Sequence, residues 1–231
     1  MGNHPSETLR RTLADLQSRW GDRIIAPASQ IEAVPLPTGL AVLDNQIGGG
    51  LWPGRLTVIV GQPTSGATTL ALKTLASIQR GEASAVYLDF AGQFDPYLAQ
   101  RLGVGLAALV VVEPVEPQAA FGIIRDVLQD GTPTLIVADA YGAGLNLKSP
   151  DVRRLGQALM ASRTALLLMA ESAPKALGSL TDVRLKCERL AWIRQGRDVI
   201  GLSTRVVIDK DRAGGGGRAV QLELLFGEEQ S

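Results

Sequence analysis

Gly61-Gln62-Pro63-Thr64-Ser65-Gly66-Ala67-Thr68-Thr69 follows directly on the apolar run Leu56–Val60, and its reading decides the fold. It has the frame G-x-x-x-x-G-K-[ST] of a phosphate-binding loop, set between a buried strand and the start of a helix, as that motif requires. The glycines let backbone N–H groups curl around phosphate oxygens, and the helix N-terminus adds the positive end of its dipole. The candidate nucleotide-binding residues here are Gly61, Ser65, Gly66, Ala67, Thr68 and Thr69, with Thr68 at the hydroxyl that ligates magnesium. One element departs from the frame: the lysine that reaches the β- and γ-phosphates is Ala67. Positioning and electrostatics supply nearly all catalysis of phosphoryl transfer, so losing one such cation costs on the order of a thousandfold or more in rate. Three states stay open: a loop that only links strand to helix, one that binds an anion weakly without turnover, and one that hydrolyses.

Working outward, Ala85–Asp89, Ala108–Val112, Leu135–Asp139 and Ala165–Met169 are further near-continuous apolar runs, as strands buried on both faces require. Helical patterns lie between them at 68–80, 95–102, 116–129 and 150–162. Strands alternating with helices predict an α/β fold, a mostly parallel sheet flanked by helices. Val199–Ile208 and Val220–Phe226, joined by a turn containing Gly214–Gly217, predict an antiparallel C-terminal hairpin on the sheet edge. Leu135–Asp139 ends in a carboxylate, so Asp139 stands where it would hold magnesium through water opposite Thr68, if nucleotide binds.

The chain has 231 residues with a formal net charge of +0, so no bulk basic field draws it onto nucleic acid. A single cysteine, Cys187, excludes a disulfide framework and a cysteine-built zinc site, and the single histidine, His4, makes a Ser-His-Asp triad improbable. No apolar run reaches the roughly 18 residues that span a bilayer, and an apolar signal segment is missing. A cytoplasmic protein without membrane contact is expected. Residues 1–37 read as an N-terminal helix and a proline-bearing connector, and 38–231 as the core. The helix shares Leu9, Leu13, Leu16 and Trp20 on one face, which docks on its own domain or on a neighbouring subunit.

The combination resembles the bacterial RecA recombinase family over nearly the whole chain. Thr38-Gly39, Leu43-Asp44, Ile47-Gly48-Gly49-Gly50 and Gly54-Arg55 look like the approach to that family's phosphate loop. Tyr87-Leu88-Asp89, Asp95-Pro96 and Arg101-Leu102-Gly103-Val104 are more particular to it, and Thr204-Arg205-Val206-Val207 with Leu224-Leu225-Phe226-Gly227-Glu228 are the most specific. The resemblance implies a RecA-like P-loop core, an N-terminal arm that packs on the next protomer, and no large C-terminal domain. It also implies nucleotide-site roles for Thr68, Asp95 and Asp139. Lys210 and Arg212 fall on the two basic residues that in the family reach across the subunit interface to a neighbour's ATP; the other reading is a solvated turn beside Asp209 and Asp211.

The departures form a set. The water-activating glutamate corresponds to Ala91, the adenine-stacking tyrosine to Leu98, and the γ-phosphate-sensing glutamine to Glu171. The DNA-contacting loops shrink to Ser172–Gly178 and about Lys148–Asp151. The resemblance thus implies a pseudo-ATPase, with no cofactor required and ATP with magnesium bound weakly at most. An accessory role in DNA repair or damage-induced mutagenesis follows, as in the ImuA type, through a RecA-type protomer or a Y-family-polymerase-like partner. Single-stranded DNA binding is expected to be weak or absent, and a homo-oligomer is possible. The other readings are a divergent ATP-dependent recombinase and a non-hydrolysing ATP sensor. Gln221–Phe226 matches a sliding-clamp peptide (Q-x-x-L-x-F), but on a strand the core needs.

Overall fold

A computed structural model describes residues 12, 15, 18, 34–81, 83–116, 119–143, 145, 147–214 and 216–227. The chain divides into two units, Met1–Val34 and Pro35–Ser231. In the first, Thr12, Asp15 and Ser18 are helical and exposed. Leu9, Leu13, Leu16 and Trp20 lie outside the described residues.

The second unit is built on one eight-stranded sheet. Its strands are β1 (Leu56–Gly61), β2 (Ala85–Asp89), β3 (Leu109–Val112), β4 (Leu135–Asp139), β5 (Ala165–Ala170), β6 (Thr181–Gln195), β7 (Asp198–Asp211) and β8 (Arg218–Leu225). They lie in the order β3-β2-β4-β5-β1-β6-β7-β8. From β3 to β6 every pairing is parallel, and β7 and β8 add antiparallel. Every residue of β2, β4 and β5 is buried, which explains their unbroken apolar sequences: both faces of these strands are covered.

Alternate residues feed two cores. Tyr87, Val137, Leu167 and Met169 pack on the face covered by helix α1 (Ala67–Gln79), with its Leu70, Leu72 and Leu75. Leu88, Ile136, Ala138, Leu166 and Leu168 pack on the other. There they meet Phe121, Ile124 and Leu128 of α3 (Ala120–Asp130) and Leu155 and Leu159 of α4 (Ser149–Ala161). A shorter helix, α2 (Pro96–Arg101), follows β2.

The expected α/β architecture and antiparallel C-terminal strands are present, with one strand more than the apolar runs announce. Residues 181–195 form β6, which pairs in parallel with β1 and antiparallel with β7. Its signal is alternation rather than a run. Thr181, Val183, Leu185 and Cys187 are buried, while Asp182, Arg184, Lys186 and Glu188 face outward, so only one face is apolar. The hairpin of β7 and β8 therefore docks on β6, and β8 forms the edge. Leu222 and Leu224 are buried in β8, so the clamp-like peptide at Gln221–Phe226 contributes its leucines to the core. Among the described residues no helix is long and apolar enough to cross a membrane.

Candidate functional site

Four parallel strands deliver their carboxyl ends to one edge of the sheet, the usual place for a ligand in such a fold. β1 ends at Gly61 and enters the loop; β2 ends at Asp89, β4 at Asp139 and β5 at Ala170, followed by Glu171. Asp89 and Asp139 are cross-strand neighbours.

The loop keeps the backbone geometry of an anion cradle. Gly66 immediately precedes α1 with φ +94°, a left-handed conformation that leaves the Ala67, Thr68 and Thr69 N–H groups opening the helix. A Cβ on Gly66 would lie 2.7 Å from Leu202 Cδ1 and would have to displace that methyl group, in addition to the strain of the left-handed φ. Thr64 has φ +67°, the single positive-φ non-glycine among the described residues. That conformation is strained for a β-branched side chain. Contacts from the β6–β7 hairpin hold the loop there. Thr204 Oγ1 donates to the Ser65 carbonyl at 2.8 Å, and Arg189 Nη1 donates to both Thr64 Oγ1 and the Thr64 carbonyl.

Ala67 is 2% exposed and belongs to the core cluster under the loop. Tyr141, just beyond β4, packs on the same cluster. Burial raises its phenol pKa above the ordinary range, with Cys187 and Asp139 adding to the effect and the neighbouring Ser65 hydroxyl opposing it. Ser65 Oγ and the Tyr141 hydroxyl lie beneath the loop without a well-formed hydrogen bond. Burial pushes the Cys187 thiol up to about 12, which keeps it un-ionised at neutral pH.

Asp139 is 6% exposed and engaged on both oxygens. Oδ2 accepts from the Tyr87 hydroxyl at 2.6 Å and Oδ1 from the Tyr141 N–H at 3.2 Å. Burial raises its pKa, and those two donors act against the rise. Thr68, at the start of α1, is half-buried. These two residues match the donor chemistry of a magnesium site in which a hydroxyl binds directly and a carboxylate acts through water.

Other expected residues have structural tasks. Asp95 is the N-cap of α2, its Oδ1 accepting from the N–H groups of Tyr97 and Leu98 at 2.9 and 3.1 Å. Asp95→Ala is therefore expected to lower stability by about 1 kcal/mol, read as a fall in Tm of roughly 2–4 °C. Leu98 packs on the core, and α2 instead presents Tyr97 to solvent, 80% exposed. Ala91 is exposed and donates its N–H to Asp89 Oδ1. Glu171 borders a cleft of about 360 Å³ at the ends of β4 and β5.

Lys210 and Arg212 lie at the end of β7, where its pairing with β6 sets them beside that strand's first residues. The parallel strands point the other way, so this is the sheet end opposite the loop. Lys210 Nζ donates to the Gly178 and Thr181 carbonyls at 2.7 and 2.6 Å, and Arg212 Nη2 to the Ser179 carbonyl at 2.9 Å. They hold the turn into β6. The shortened segment before it contains a one-turn helix, Lys175–Leu177, anchored by the buried Leu177. Lys148–Asp151 forms the start of α4.

Sequence reasoning missed three contributors. Tyr87 meets Asp139 from the adjacent strand, Tyr141 follows β4, and Arg189 is 125 positions from Thr64. None has a motif. Only the alternation of β6 could have placed Arg189 beside the loop.

The RecA N-terminal domain family matches residues 7–170. The RecA protein of Chlorobaculum tepidum is 30% identical over 258 residues, covering 95% of this chain and 75% of its own length. That of Aquifex aeolicus is 27% identical over 259 residues, covering 96% and 75%. Among solved structures, that of the RadB recombinase has a TM-score of 0.63 at 20% identity, covering 83% of this chain and 96% of its own, a likeness of fold. With a strand–loop–helix nest at the end of β1, a carboxylate at the end of β4 and a family match across both, the chain belongs to the RecA family.

Proposed function

We propose that this protein is a hydrolysis-deficient member of the RecA family that serves DNA repair or damage-induced mutagenesis by binding other proteins. Ala67 carries the reading: the loop has its turn and its helix but no lysine, and the replacing methyl group is buried in the core. Ala91 and Glu171, where the family resemblance puts a water-activating glutamate and a phosphate-sensing glutamine, support it. The partner is a RecA-type protomer, with a Y-family-polymerase-like protein as the other choice, in the manner of an ImuA-type protein. Single-stranded DNA is held weakly, because the two segments that correspond to DNA-contacting loops are short. The protein works in the cytoplasm.

Docking uses the N-terminal helix, through Leu9, Leu13, Leu16 and Trp20, the basic edge at Lys210 and Arg212, or both. The test is a pull-down against an active RecA with ATP, ADP or no nucleotide. Leu13→Asp/Leu16→Asp is expected to abolish capture in every nucleotide state. Lys210→Ala/Arg212→Ala is expected to remove only the ATP-dependent part. Because both basic side chains also bond to carbonyls of their own chain, the Tm of that variant is measured alongside. If wild type ignores RecA in all three conditions, that partner is wrong. A persistent retention of the protein on single-stranded DNA at about 0.15 M salt would overturn the weak-binding part.

A further inference from the structure

Past Gly61, which is level with Cys187, strand β6 runs on beside the phosphate loop. Two residues further stands Arg189, whose guanidinium donates to Thr64 at the loop's strained position. The same guanidinium lies over the Trp192 ring, its Cζ 4.3 Å from the ring centroid, and Trp192 in turn packs edge-on against Phe226 at 6.5 Å. Among the described residues no carboxylate pairs with it, since adjacent Glu188 is taken by Lys186 at 2.8 Å. Arg189 is exposed, so its positive charge stands at the loop's outer side with no carboxylate partner among the described residues.

Holding the Thr64 carbonyl needs only a neutral donor. A guanidinium can also pair with phosphate oxygens through charge-assisted, bidentate bonds. The Trp192 shelf limits the orientations Arg189 can take, so little side-chain freedom is lost when it turns to a ligand.

We propose that Arg189 supplies from the hairpin the positive charge that Ala67 withdraws from the loop, so that residues 61–69 bind the phosphates of a nucleoside di- or triphosphate. The loop N–H groups hold them from one side and the Arg189 guanidinium from the other. This rests on reading the loop as nucleotide-binding without turnover. It makes Arg189 a binding residue of this chain and leaves the water-activating position empty.

The full-length protein is titrated with ADP, ATP plus magnesium, pyrophosphate and adenosine, following heat of binding and tryptophan emission. Wild type is expected to bind both nucleotides, pyrophosphate more weakly, and adenosine not at all. The emission change is expected to vanish in Trp192→Phe, which separates this tryptophan from Trp20 and Trp52. Arg189→Gln is expected to weaken ADP binding by about tenfold or more, a full charge-assisted bond to phosphate, and Arg189→Lys by less. Melting without ligand separates the outcomes. If Arg189→Gln lowers Tm yet binds ADP like wild type, Arg189 only clamps the loop and the proposal is wrong. If Arg189→Gln does not fold, Arg189→Met, which keeps an apolar stem over Trp192 and removes the charge, takes its place, and wild-type ADP affinity in that variant overturns the proposal equally. Wild type that binds neither nucleotides nor pyrophosphate also overturns it, while leaving the docking role, read by pull-down, intact. Preferential binding of pyrophosphate over ADP would identify a simple anion site and exclude the nucleotide.

Discussion

Mixed with ATP, magnesium and single-stranded DNA, the purified protein is expected to release phosphate at least about a thousandfold more slowly than the RecA protein of Chlorobaculum tepidum assayed beside it. A transferring phosphoryl group gathers negative charge on its outer oxygens, and the loop lysine is among the groups that offset it. In this chain the first residue of α1 is a buried alanine. The end of β2 compounds the expected loss: Ala91 offers a backbone N–H, already bonded to Asp89, at the position where the family resemblance implies a base. Arg189 does not restore turnover, because its contact with Thr64 places it on the β6 side of the loop, away from Asp139 on β4. Ala67→Lys alone is accordingly expected to leave the rate at background, since a cation without a base improves binding more than chemistry. Wild-type turnover within about tenfold of the reference enzyme, stimulated by DNA, would sink the hydrolysis-deficient reading.

Much of the architecture is legible before any coordinates. Strands buried on both faces announce themselves as apolar runs, and β1, β2, β4 and β5 do so. The loop at 61–69 is legible because its motif is local. β6 escapes notice because its outer face carries Asp182, Arg184, Lys186 and Glu188, and this dilutes the apolar signal to a period of two. The site residues divide the same way. Thr68 and Asp139 are read from motifs, whereas Arg189 and Tyr141 depend on which strands become neighbours. Asp95 carries two readings at one position. Its position resembles a ligand contact, yet a carboxylate one residue before Pro96 is also a strong helix cap, and the cap is what its hydrogen bonds make.

The pair Tyr87–Asp139 sets the second large effect. Tyr87→Phe deletes one hydroxyl, leaves the ring tilted against Phe94 with centroids 4.7 Å apart, and strips a buried carboxylate of its shortest donor. A hydrogen bond to a charged group lost from the interior costs about 2–3 kcal/mol, a fall in Tm of about 5–10 °C for a chain of this size. The loss depends on pH with a definite sign. Burial raises the folded-state pKa of Asp139 above its ordinary value near about 3.9. A group with a raised folded pKa lends its stability below the unfolded pKa and withdraws it as pH climbs through the folded value. Wild type therefore loses this contribution from about pH 4 upward. The Tyr87 hydroxyl limits the loss, because its bond favours the ionised form. Burial and Asp139 push the Tyr87 phenol far above its usual range, so it remains a donor throughout. Without it the folded pKa rises further and the loss extends to higher pH. Melting curves of Tyr87→Phe and wild type are expected to converge toward about pH 4 and separate steadily toward neutrality. In an Asp139→Asn background the Tyr87→Phe penalty is expected to persist in part but to lose its pH dependence, since no proton is left to bind. A penalty that still varies with pH in the Asp139→Asn background would show that the pH dependence does not come from Asp139.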